Sequence, residues 1–449
     1  MAIKIGNNDI TFKVGSADCT VYLGSTLMYS GGTPPTPPAH DYSQDYLTFV
    51  ATESGTFTFT PTNSNVISYS LDSGTTWTQG NSVSVSSNDK VLWKGTMTPQ
   101  WPAIPYGGIG TFSSTNAFTV EGNAMSLVYG DNFVGQTDLT GKYATFYELF
   151  YNCTTITSAE NMVLPATTLA DNCYARMFRY CTSLTTAPSL PATTLVDYCY
   201  RRMFEGCTSL TTAPVLSSTT LAEACYNNMF SGCTSLTTAP ELPATTLADD
   251  CYSGMFEGCT SLTTVPQLLA TTLVYGCYGG MFKNCTSLTT PPVLSATTLA
   301  NSCYSSMFEG CTSLTTAPIL SATTLASSCY NSMFWGCTSL TTAPELPATT
   351  LASSCYNSMF WGCTSLTTAP VLSATTLVNY CYAYMFKGCT SLNSITCLAT
   401  AISASSCTSN WVDGVAASGT FTKASNMSGW GSCGTSKIPC GWTVQNYAG

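Results

Sequence analysis

The chain has 449 residues, room for roughly three ordinary domains, and 44% of them are apolar against only 8% charged. A large core is therefore available, and Ser, Thr, Asn and Gly must carry most of the wetted surface. Twenty-three acidic against 13 basic residues give a formal charge of −10, which argues against sequence-independent binding to a phosphate backbone, so no nucleic-acid partner is expected. The opening MAIKIGNNDITFKVGSADC lacks the basic head, apolar run and cleavage site of a secretory leader, and no run of about 18 apolar residues follows, so neither membrane insertion nor standard export is expected.

In chain order, residues 1–30 alternate apolar and polar side chains (IKIGNNDITFKV, CTVYLGSTLMYS) and read as a few strands too short to fold alone. They are expected to be an anchor that completes itself on a partner. GGTPPTPPAH opens a stiff proline-rich linker over 31–43. Residues 44–140 alternate between turn signals at DSG, GNS and SND, which predicts a compact, sandwich-like antiparallel β-domain and a connector.

From 141 to 407 the chain repeats itself. Eighteen of its 24 cysteines fall in nine copies of C-Y-x-x-M-F-x-x-C, beginning at Cys173 and recurring every 26 residues to Cys381. A fixed period of this length predicts a solenoid, in which each unit buries its apolar face against its neighbours. In LADDCYSGMFEGC, Leu247, Cys251, Met255 and Cys259 are four apart, which predicts one side of a short helix, widened by Phe256; the equivalent core in a later copy is Cys329, Met333, Phe334 and Cys337. Gly258 reads as a stop, and the Thr-rich CTSLTT and ATTL segments as extended chain. The expected fold is thus β-rich α/β, one short helix plus strand per unit. TFYELFYNC (145–153) is a worn first copy with Thr145 in the first cysteine's place, and 408–449 should cap the far end.

Two cysteines eight apart on a helix are separated by about 12 Å, beyond the roughly 7 Å that a disulfide tolerates between Cα atoms. Reduced, buried thiols are the expectation for the columns, and zinc is not expected without C-x-x-C spacing. The state of Cys397, Cys407, Cys433 and Cys440, which lie outside the regular columns, is left open. The only histidine, His40, falls in the proline linker, so no Ser-His or Cys-His dyad on a rigid element is expected. Glu205, Glu257 and Glu309 share a column two units apart, at least about 9.6 Å from one another at the usual strand spacing, and are read as solvated surface rather than a glycosidase pair. The expectation is no enzyme, no cofactor and no metal.

The stretch FSGCTSLTTAPELPATTLADDCYSGMFEGCTSL (230–262), with its F-x-G-C-x-x-L core, resembles the BspA-like branch of leucine-rich repeats. The resemblance spans roughly 145–407, with a unit of 26 residues where about 23 is usual. CTVYLGSTLMYSGG is similar to N-terminal segments of phage and prophage tail proteins of Bacteroides-type hosts. These resemblances imply adhesion or recognition: residues 1–30 would hold a virion or tail protein, and the solenoid would meet a host-surface protein or glycan. A bacterial cell-surface adhesin is the alternative, an ice-binding protein built on the Thr columns a remote one, and self-association is left open.

In a solenoid, function should lie where surface columns vary over a fixed core. The position after Met-Phe carries Trp335 and Trp361 in consecutive copies, a pair suited to stacking on a sugar or an aromatic side chain, with local packing as the plainer explanation. Arg201, Arg202, Tyr275, Tyr380 and Tyr384 are further candidates for partner contact, since Arg and Tyr are frequent interface anchors.

Overall fold

The structure is a computed structural model; it describes the strands within the first 30 residues and then residues 40–62, 64–99, 107–427 and 429–448. Most of the proline linker lies outside the described residues. Two bodies are resolved, Met1–Tyr42 and Ser43–Gly449. In the first, β1 (Ala2–Ile5), β2 (Asn8–Val14), β3 (Cys19–Leu23) and β4 (Thr26–Tyr29) form an antiparallel meander in that order.

The second body begins with a β-sandwich. Its strands are β5 (Leu47–Ala51), β6 (Gly55–Pro61), β7 (Ile67–Ser70), β8 (Thr78–Gln79), β9 (Ser82–Val85), β10 (Lys90–Gly95), β11 (Gly110–Ser114) and β12 (Phe118–Asn123), followed by β13 (Ile156–Val163). One sheet runs β13-β12-β5-β10-β7-β8 and the other β11-β6-β9. Alternation places Phe49, Phe57, Phe59, Trp93, Phe112 and Phe118 between them, all buried, and the rings meet edge-on or tilted, Phe49 edge-on against Phe112 at 4.7 Å and Phe57 at 5.3 Å. Because β12 pairs in parallel with β13, which lies between the worn first copy and the first regular one, the sandwich and the repeat array share a sheet. They share a core too. Phe112 stacks on Phe150, and Phe150 on Phe178 at 5.2 Å, the start of a phenylalanine column that continues to Phe386.

The units stack as a solenoid, but the predicted short helix is absent. Among the described residues the only α-helix is a single turn, Ser126–Tyr129, outside the array. Each C-Y-x-x-M-F segment is instead a ribbon of turns in which every fourth residue is left-handed, as at Ser302 (φ 57°), Ser306 (φ 56°) and Gly310 (φ 71°). Those residues prevent the i→i−4 ladder, and the amides divide their work. The N–H groups of Cys303, Ser305 and Met307 donate three residues back, while those of Ser302, Tyr304, Ser306 and Phe308 donate to carbonyls of the following unit, Tyr304 to Cys329 at 3.0 Å. A spacing of four was thus a true period of four; on a helix of 3.6 residues per turn the stripe would drift by about 40° at each step. Half of a unit's ribbon amides find acceptors only in the next unit, so no unit can fold by itself.

Stacking in register makes columns. Tyr304, Tyr330 and Tyr356 lie 5.9 Å apart with planes within 4° of parallel, and Phe308 and Phe334 5.8 Å apart. Cys251, Met255, Phe256, Cys259, Cys329, Met333, Phe334 and Cys337 are all fully buried, as their spacing required. The second cysteine of each unit does more than fill space. Its thiol donates to the carbonyl of the preceding unit's phenylalanine, Cys337 to Phe308 at 3.0 Å and Cys363 to Phe334 at 3.0 Å. The threonine segments approach one another as short parallel bridges, Thr316 to Thr342 and Thr324 to Thr350, rather than as long strands. Thr hydroxyls donate to threonine carbonyls one unit back, as Thr234 does to Thr208 at 3.4 Å, which ties the sheet together.

The two ends of the stack are chemically opposite. At the first copy, carbonyls lack partners, and the sandwich supplies donors: Ile109 N–H reaches the Thr145 carbonyl and Phe112 N–H the Leu149 carbonyl. At the last, CTSNWVDGV keeps the left-handed rhythm through Ser406, Asn410 and Gly414, and its spare amides need acceptors. The tail provides them: Asn410 N–H donates to the Ser436 hydroxyl and Val412 N–H to the Thr435 carbonyl, and Trp411 Nε1 to the Lys437 carbonyl at 2.7 Å. β14 (Ser394–Cys397), β15 (Thr420–Lys423) and β16 (Thr443–Asn446) extend the parallel sheet over this end. Cys433 and Cys440 form a disulfide there, while Cys397 and Cys407 are free and buried.

Candidate functional site

The outer face of the turn ribbon is where side chains differ from unit to unit. The column after Met-Phe is largely a ladder of paired groups. Arg179 meets Glu205 at 2.8 Å, Lys283 meets Glu309 at 3.2 Å, and Lys387 meets Asp413 at 3.5 Å. This corrects the reading of Glu205 and Glu309 as solvated carboxylates: stacking brings a cation within reach one unit back, and both acids are about four-fifths buried, at 16% and 19% exposure.

Trp335 and Trp361 occupy neighbouring rungs of the same column and stack on each other, centroids 4.6 Å apart and planes 9° from parallel. Tyr384 stacks on Trp361 at 5.7 Å, and the Lys387 ammonium sits 5.0 Å from the Trp361 ring. The faces of Trp361 are therefore committed to its neighbours. The ladder offers a ligand indole edges and a cation, rather than a broad flat plane.

Arg201 and Arg202 lie at the opposite end of the array in a basic cluster with Arg176 and Arg179. Arg202 reaches Glu205 at 3.6 Å, and burial together with the neighbouring guanidiniums disfavours its charge. Arg201 lies over the Tyr198 ring at 5.6 Å. Tyr275 and Tyr380 are half-exposed and far apart in the array, so the seven candidates form three groups: the arginines, Tyr275 alone, and the Trp335, Trp361, Tyr380 and Tyr384 region.

Two outer features escaped the sequence reading. Elsewhere on the array, the residue between Pro and Leu is apolar and exposed in four units, Val215, Val293, Ile319 and Val371, and polar in the others. On the ribbon face, the fifth regular unit leaves a notch of about 300 Å³ beside Tyr275. The signal for the first was an apolar letter at an otherwise polar position, and for the second a run of glycines in VYGCYGGMFKN.

The remaining chemistry is quiet. Among the described residues no group of three or more His, Cys, Asp or Glu is placed to hold a metal ion. Burial raises the cysteine thiols, Cys303, Cys311 and Cys389 each to about 12, so these are poor nucleophiles at neutral pH. His40 makes an edge-on contact with Tyr42 at 4.7 Å. In the sandwich, Asp72 accepts hydrogen bonds from Ser70 and from the Thr76 amide and hydroxyl, which lower its pKa to about 2 and tie down its loop.

No curated protein compared with this chain matches it. Residues 145–289, 225–341 and 278–410 each match the family model described as BspA type leucine rich repeat region (6 copies), together more than half the chain. With the stacked units, invariant core letters and variable outer columns described above, the chain belongs to the BspA-type leucine-rich-repeat family.

Proposed function

We propose that this is a non-enzymatic recognition protein whose solenoid face adheres to a host-surface protein or glycan, and that it is carried on a phage or prophage particle by residues 1–30. The observation that supports recognition most is the contrast between inside and outside. The buried Cys, Tyr, Met and Phe columns barely change along the array, whereas outward letters change and gather into a basic cluster, a notch and an aromatic ladder. Family membership agrees with this reading. Attachment through the N-terminal meander rests on its place in a body of its own, Met1–Tyr42, that is distinct from the sandwich and the array.

The second reading, a bacterial cell-surface adhesin, is favoured by the family and shares the need for an exterior setting. The Cys433–Cys440 disulfide suits either, since such bonds persist outside reducing compartments. Labelled full-length protein should adsorb to host bacteria, and antibody against residues 1–30 should decorate purified particles. Adsorption without particles would replace the first reading by the second; no adsorption to any host would end both. Substituting Trp335 and Trp361 together by Ala tests the ladder, because unchanged adsorption removes it from the binding face.

A further inference from the structure

The fifth regular unit differs from its eight fellows in having glycine at three successive outward positions, Gly276, Gly279 and Gly280. The backbone does not demand it. Gly276 and Gly280 have φ of 57° and 60°, and equivalent positions carry Ser302, Ser306, Tyr380 and Tyr384 at φ of 56° to 57°. A Cβ on Gly280 would meet nothing within 4 Å. What glycine provides here is empty volume, about 300 Å³, open to solvent on the ribbon face.

The walls of that volume are polar and of mixed character. Asp250 and Glu257 stand on the preceding unit, Ser302, Ser305 and Ser306 on the following one, with Lys283 at one side and the exposed Tyr275 ring at the rim. The Asp250 carboxylate lies across Gly276, where a Cβ would collide with it. Neither Asp250 nor Glu257 has a side-chain hydrogen bond or ion pair, although Glu205, Glu309 and Asp413 in the column of Glu257 are each matched with a cation. Ionised carboxylates only accept hydrogen bonds, so the missing partner is a donor.

We propose that this notch binds one neutral or amino-hexose residue of a surface glycan, a ligand class that deepens and rests on the recognition reading. Ring hydroxyls or an ammonium group donate to Asp250 and Glu257, ring oxygens accept from Lys283 and the serines, and an apolar sugar face covers Tyr275. Uronic and sialic acids are excluded by the two unpaired carboxylates and the formal charge of −10.

The test uses the full-length protein and saturation-transfer NMR with lactose, chitobiose and glucosamine, against glucuronic acid, N-acetylneuraminic acid and a lysine-rich peptide. Gly280→Tyr fills the notch with the residue that another unit carries at the same backbone angle, so it should fold, as its thermal melt will verify. Transfer to at least one neutral or amino sugar is expected, with affinity falling at least about tenfold in Gly280→Tyr and by about five- to tenfold in Glu257→Gln. Transfer to acidic sugars alone, to the basic peptide alone, to no probe, or equally to wild type and Gly280→Tyr would overturn the assignment. Adsorption to host cells is scored separately: cells that still bind Gly280→Tyr fully leave recognition standing without the notch, and cells that bind neither protein remove recognition itself.

Discussion

The left-handed positions of the ribbon make a prediction whose sign depends on the fold. Ser328 (φ 54°) and Ser354 (φ 56°) belong to adjacent units and make no side-chain hydrogen bond. An L-residue held at this angle costs about 1 kcal/mol or more relative to glycine, while glycine loses roughly 0.5–1 kcal/mol of extra chain entropy on folding. Ser→Gly should therefore stabilise by about 0.5 kcal/mol per site, or about 1 kcal/mol for Ser328→Gly with Ser354→Gly. Were the segments helical, the same pair would cost about 1 kcal/mol, since glycine is the poorer helix former. Long arrays do not unfold in one step, so the appropriate readout is amide hydrogen exchange at Tyr304, Tyr330 and Tyr356, whose N–H groups bridge units. Exchange about fivefold slower is expected, and Ser328→Val should accelerate it because a β-branched residue resists this angle. Faster exchange in the glycine pair would refute the turn-ribbon argument.

Other expectations follow from the columns and the sandwich. Phe308→Ala removes a fully buried ring stacked at 5.9 and 5.8 Å on its neighbours; it should cost about 3–5 kcal/mol, with lost exchange protection concentrated in the flanking units. Even loss of protection along the whole array would contradict nearest-neighbour coupling. Among the described residues the 21 free cysteines are all buried, so native protein at pH 8 should take up no alkylating reagent at them within an hour, and full labelling of these 21 should need denaturant. Mass measurement checks this, and rapid native labelling of any column cysteine would be inconsistent with it. Asp72, with a folded pKa of about 2 below its ordinary value, contributes stability that is complete above about pH 4 and lost as pH falls towards 2. Asp72→Asn should flatten that acid limb in melts followed by Trp77 fluorescence, and an unchanged limb would assign acid sensitivity elsewhere.

Most of the architecture was legible because the chain states it nine times. The 26-residue period marked a solenoid, the worn copy at Thr145 and the altered copy at Cys407 marked its ends, and Cys251, Met255, Phe256 and Cys259 marked its core. The helix was misread because a spacing of four fits both a helical stripe and a four-residue turn. The discriminating sign was the doubling of apolar letters, Cys-Tyr then Met-Phe, with Ser, Asn or Gly at the residue before the pair in most copies. Pairing across units was not legible in one unit. Glu309 looks solvated until Lys283, 26 residues earlier, is placed beside it. Likewise Trp335 and Trp361 were visible as neighbours, but their face-to-face arrangement and the arrival of Tyr384 depend on the axial direction of the side chains.

The opposed ends of the stack bear on how such a chain changes length. Every internal seam joins donors on one unit to acceptors on the next, so excising or duplicating one whole unit leaves seams that still match, whereas reversing a unit does not. The identical sixteen-residue stretches at 329–344 and 355–370 show how closely two adjacent units can match. A tandem duplication of residues 303–328, which lie between the glycine notch and the aromatic ladder, would lengthen the interval between those two features by one whole unit without altering either one.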